Sequence, residues 1–76
     1  MLTINDMREG NKYLIGDSLG YDLVICTQVP HLTTYQGSTG IMVKYISLDK
    51  NGNPYGDEDF LFETPNCGFS TYIEPR

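Results

Sequence analysis

Clusters of turn-forming residues interrupt this chain at intervals of about ten residues. The stretches between them are rich in β-branched and aromatic side chains, the pattern of short strands joined by turns. The interruptions are Gly16-Asp17-Ser18-Leu19-Gly20, the segment from Pro30 to Gly40, Asp49-Lys50-Asn51-Gly52-Asn53-Pro54, and Thr64-Pro65-Asn66-Cys67-Gly68. Five strands are predicted between and beside them: Tyr13–Ile15, Tyr21–Val29, Ile41–Leu48, Glu58–Glu63 and Phe69–Ile73. Pro30 is expected to end the second and Pro75 the last. Ahead of them, Asn5 or Asp6 is expected to cap a helical turn through Met7-Arg8-Glu9, with Gly10 ending it.

Alternation assigns the faces. Tyr21, Leu23 and Ile25 share one side of the second strand and Val24, Cys26 and Gln28 the other, so apolar groups stand on both. The third strand sets Ile41, Val43 and Tyr45 on one face. On the fourth, Phe60 and Phe62 are expected inward and Asp59 and Leu61 outward. A strand apolar on both sides is one covered twice, as in a barrel or at a bend.

The layout of a lead-in with an Asp-x-x-x-Gly turn (Asp6 to Gly10), a short strand, two long central strands and two short closing ones resembles SH3-like barrels. Five short strands at these intervals predict one all-β domain over residues 1–76, a small barrel or sandwich. The resemblance implies a five-stranded SH3-like barrel with a short N-terminal helical turn. It further implies that a barrel end or exposed loop binds a protein, peptide or nucleic acid. The aromatic peptide-groove signature of signalling SH3 domains is missing.

At 76 residues the chain has room for one modest core, since a domain this small buries only about 60% of the surface its unfolded chain exposes. That favours a binding face over a deep catalytic cleft. Its net charge is −5, and its five basic residues, Arg8, Lys12, Lys44, Lys50 and Arg76, are scattered. Phosphate-backbone binding needs clustered cations, so the charge argues against nucleic acid as a partner, and a protein with a basic surface is the expected one. Apolar runs such as Leu23-Val24-Ile25-Cys26 fall far short of a membrane helix, and the N-terminus has no basic segment followed by an apolar stretch. A cytoplasmic protein without membrane contact is expected; the spacing of Cys26 and Cys67 matches no metal or redox motif, and both are expected reduced because nothing points to export.

Asp49-x-Asn51-x-Asn53 begins like a calcium loop, but Pro54 stands where that loop requires glycine and Phe60 where it requires glutamate. A turn with Gly52 at positive φ accounts for the same residues. His31, the single histidine, follows Pro30 in the predicted loop with no orienting partner apparent, and no phosphate loop, paired histidines or nucleophile elbow occurs. Catalytic residues, metal and cofactors are therefore expected to be none. The charge cluster Asp57, Glu58 and Asp59 either meets a basic partner or guards an edge strand. Tyr35, in an uncharged Thr/Ser/Gly/Gln setting, and Tyr55, between Pro54 and Gly56, are expected to be exposed. The candidate partner-binding residues are thus Tyr35, Asp49, Tyr55, Asp57, Glu58 and Asp59.

The expected function is a non-enzymatic interaction module with an acidic, tyrosine-bearing face. In size and charge it is similar in type to small accessory or inhibitor proteins of bacteria and their phages. The alternatives are a structural subunit of a homo-oligomer and, behind it, a nucleic-acid-binding small barrel.

Overall fold

A computed structural model describes residues 2–17, 19–64 and 71–76. Five strands form one antiparallel sheet: β1 (Lys12–Asp17), β2 (Gly20–Tyr35), β3 (Ser38–Ser47), β4 (Asp59–Glu63) and β5 (Tyr72–Pro75), in the order β4-β3-β2-β1-β5. Consecutive strands β1 to β4 are neighbours, and β5 returns to pair with β1. Among the described residues β4 and β5 are the two edges and do not pair with each other.

The helical turn is a 3-10 turn at Ile4–Asp6, earlier than expected. Thr3, not Asn5 or Asp6, is its cap: the Thr3 hydroxyl accepts the Asn5 N–H, and the Asp6 carboxylate accepts the Thr3 N–H at 2.8 Å. These reciprocal bonds satisfy the end of a turn too short to stand alone. Its purpose in packing is to deliver Ile4 and, just after it, Met7 into the core, where both are fully buried.

The largest correction concerns Pro30 to Gly40, which is not a loop. β2 runs through Pro30 to Tyr35 and returns as β3 after Gln36-Gly37, with Tyr35 opposite Ser38. Both turn residues have positive φ, 51° and 81°, the requirement of the two-residue turn whose twist suits a hairpin. Pro30 is tolerated because the ladder is irregular there. From Cys26↔Tyr45 to His31↔Met42, five steps along β2 face three along β3, so β2 carries two extra residues. Proline lacks an N–H to donate and fits within such a bulge. Pro75 ends the last strand as expected: it is the final residue of β5, opposite Tyr13, on an edge strand. The predicted turn through Pro65-Asn66-Cys67-Gly68 and the predicted strand start at Phe69 lie outside the described residues.

The core lies on one face of the sheet and joins Tyr13 and Ile15 of β1, Val24 and Cys26 of β2, Val43 and Tyr45 of β3, and Ile73 of β5 to Ile4 and Met7. Leu61, Ile41 and Leu2 pack against it. Burying a side chain such as Val24 or Val43 stabilises the fold by roughly 1.5–3 kcal/mol. The facing of β4 is therefore the reverse of that expected. Leu61 sits opposite the fully buried Val43 and turns inward, while Phe60 and Phe62 sit opposite Lys44 and Met42 and turn outward. Directly paired residues share a face, so the partner strand overrides the rule that the largest apolar groups go inside.

Candidate functional site

The outward Phe60 and Phe62 are half-buried because Tyr35 covers them. The Tyr35 ring centroid stands 5.1 Å from that of Phe60 and 5.4 Å from that of Phe62, edge-on to the first and tilted against the second. Such arrangements set the positive edge of one ring towards the negative face of another. Tyr35 reaches β4 from the end of β2 across β3, and Gly40 lies on that path. The Phe62 ring comes to 3.0 Å from where a Gly40 β-carbon would stand. The three rings form a cluster on the face of the sheet opposite the core, and Tyr35 keeps 37% of its surface exposed.

The acidic run lies at the start of the same strand. Asp59 opens β4, and its Oδ1 accepts the Phe60 N–H at 2.8 Å. Glu58, expected within the strand, precedes it. One Glu58 carboxylate oxygen accepts the hydroxyl of Thr27, and the other stands 4.0 Å from the Lys44 ammonium. Thr27 reaches it from the first irregularity in β2, where one residue has no partner on β3. All of these charges are well exposed, so the Lys44–Glu58 pair is a weak tether, worth about 0–1 kcal/mol. Asp57 is exposed.

Asp49 has a different task. Its Oδ1 accepts the N–H groups of both Asn51 and Asn53 at 2.9 Å, and its own N–H donates to the Asn53 carbonyl at 2.8 Å. Gly52 completes the turn at φ 84°. The calcium-like spacing is thus an Asx-type turn in which the carboxylate is taken up by backbone. Tyr55 donates its N–H to Ser47 and leaves its ring exposed. Of the six predicted residues, Tyr35 and Asp59 are brought together through Phe60, with Glu58 and Asp57 leading into the same strand. Asp49 and Tyr55 belong to the β3–β4 connection.

Phe60, Phe62, Lys44 and Thr27 are site components that residue-by-residue reading missed. The signal for the two phenylalanines was Gly40: a glycine inside a strand marks a place where another group approaches the backbone closely. The same device recurs at Gly16, whose absent β-carbon would stand 2.5 Å from the Tyr21 ring, with Tyr72 edge-on to Tyr21 at 5.8 Å.

His31 lies on β2, its Nδ1 2.9 Å from the Val29 carbonyl. Cys26 is buried, and its thiol donates to the Gln28 carbonyl. Among the described residues no three His, Cys, Asp or Glu side chains are grouped to hold a metal, and no helix is long and apolar enough to cross a membrane. A half-open hollow of about 360 Å³ lies elsewhere, lined by Ile15, Tyr21, Asp22, Tyr45, Leu61 and Thr71 among others, and none of the six predicted residues borders it. Comparison with protein-family models, with curated proteins and with solved structures finds no match to this chain.

Proposed function

We propose that this chain is a non-enzymatic protein-interaction module of the small accessory or inhibitor type. It binds a partner with a basic surface through the outer face of the sheet at β4. The face consists of Tyr35, Phe60 and Phe62, bordered by Asp57, Glu58 and Asp59, with Tyr55 exposed on the connection leading in. One observation carries this reading: an aromatic cluster stands on the side of the sheet away from the core, partly exposed, with the acidic run on the same strand. Aromatic rings that offer area at low entropic cost beside charges that steer association make an effective contact surface.

The scaffold in this proposal is an SH3-like barrel. Two observations support it: the strand order, and the Glu63 carboxylate at the end of β4, which accepts the N–H of Thr71, just before β5, at 3.2 Å and also its hydroxyl. That contact links the end of β4 to the residue that leads into β5.

The test is capture of partners from the native host by the wild-type chain and by a variant carrying Asp57→Asn, Glu58→Gln and Asp59→Asn. The proposal expects basic proteins whose retention falls with salt and is lost in the variant. An unchanged set with unchanged salt dependence rules the acidic face out. A second reading, a homo-oligomeric structural subunit, draws on the two sheet edges, and a monomer by light scattering at high concentration counts against it.

A further inference from the structure

We propose that the partner docks by adding a strand to the outer edge of β4, and that the strand it supplies is an extended segment carrying basic residues. This rests on the interaction face proposed above and specifies how that face is used. Among the described residues β4 pairs with β3 alone. In an antiparallel pair, successive residues turn their main-chain groups alternately towards and away from the neighbour. Two observations fix which do which. The Glu63 carbonyl oxygen faces β3, lying 2.5 Å from where a Gly40 β-carbon would stand. The Phe60 N–H donates to its neighbour's carboxylate, Asp59 Oδ1, at 2.8 Å, the position of a group turned away from β3. Asp59, Leu61 and Glu63 therefore bond to β3, and Phe60 and Phe62 present their main-chain groups outward, at the edge.

The same two residues place their rings in the Tyr35 cluster. An added strand that pairs with Phe60 and Phe62 thus lays alternate side chains beside that cluster, where a guanidinium can stack on aromatic faces. Its remaining cations meet Asp57, Glu58 and Asp59.

The charge pattern selects the occupant. A second copy pairing antiparallel about Leu61 would set Asp59 against Glu63 at both ends, and a parallel copy would set each acid against itself. Like charges directly opposite destabilise a ladder. The Asp59 carboxylate on the Phe60 N–H guards the edge in the same way. A basic segment faces neither obstacle, since it offers cations to Asp59 in exchange for that N–H.

The experiment uses the full chain and a short capped peptide alternating arginine and threonine, with a second version N-methylated on the residues that would bond to β4. Binding is measured at low salt by calorimetry, and exchange of the Phe60 and Phe62 amides by NMR. The expected result is slowed exchange at both amides with the parent peptide and affinity at least about tenfold weaker after methylation, the factor two lost hydrogen bonds carry. Equal binding of both peptides, or binding without slowed exchange, overturns strand addition and leaves the acidic face standing. Absence of binding by either peptide at low salt overturns both. Dimerisation of the free chain with protection of the same amides would overturn the choice of occupant.

Discussion

Phe62 lies across Gly40: a β-carbon there would meet the tip of its ring at 3.0 Å and the Glu63 carbonyl oxygen at 2.5 Å. The carbonyl is main chain of the paired strand and has no freedom to swing aside. Gly40→Ala should therefore destabilise the fold by about 1–3 kcal/mol, the usual range for overpacking, read from the midpoint of urea unfolding. Gly16→Ala meets only the Tyr21 ring, which is largely exposed and rotates away. Its cost should be under about 1 kcal/mol, within the range of strand propensity. Equal costs at both positions would show that backbone proximity at Gly40 is not what matters.

A hydrogen bond from the Arg8 N–H to the hydroxyl of the buried Tyr13, at 2.8 Å, ties the N-terminal lead-in to β1. Tyr13→Phe keeps the ring in the core and removes the acceptor. The expected loss is about 1–2 kcal/mol, for a donor left without its partner in a partly buried place. Faster hydrogen exchange at the Arg8 amide, with little change at Val24, would mark the effect as local to the lead-in.

Asp49 was a candidate contact residue on sequence grounds, yet its carboxylate holds two backbone N–H groups of its own turn. Asp49→Ala should lower stability by about 1–2 kcal/mol, as for loss of a side-chain cap. Partner binding measured well below the unfolding midpoint should stay at the wild-type level. A selective loss of affinity with stability intact would return Asp49 to the binding face.

Burial pushes the Cys26 thiol above its ordinary range; hydrogen bonding with the Gln28 backbone opposes this and the charge of Glu9 adds to it. The unfolded chain therefore loses this proton at lower pH than the native one. Stability from this group is complete below the unfolded thiol pKa of about 8.5 and declines as pH rises through the folded value. Tyr72 shifts upward as well, through its hydroxyl bond to Glu74 and the nearby charge of that carboxylate, so its contribution follows the same sign at higher pH. Urea midpoints from pH 7 to 10 should fall at the alkaline end, and Cys26→Ala should flatten the first part of that fall. A midpoint that rises with pH would contradict the assignment.

Several features were legible in local residues. The turn at Asp49 to Asn53 follows from a carboxylate two and four residues ahead of free N–H groups and a glycine able to take positive φ, all within five residues. The strands around Val24 and Val43 follow from runs of β-branched and aromatic side chains. The misreadings have a common origin. Pro30 signals a strand end in local terms, and Gln36-Gly37 lacks the Asn or Asp that usually announces a two-residue turn, so the long hairpin read as a loop. Phe60 and Phe62 read as core because they are the largest apolar groups on their strand. What reverses them is Val43, seventeen or more residues earlier.

From its sequence alone this chain was determined to be β-rich, acidic and punctuated by turns, because strand propensity, turn chemistry and charge are properties of neighbouring residues. Only the tertiary structure decided that β2 passes through Pro30, that Leu61 rather than the phenylalanines faces the core, and that Tyr35 reaches β4. The physical reason is register. A side chain's face is set by its partner across the ladder, and two extra residues in β2 shift that pairing in a way no local pattern records. The acidic run at Asp57 to Asp59 was visible from the start, but the aromatic cluster beside it exists only once β2, β3 and β4 lie side by side.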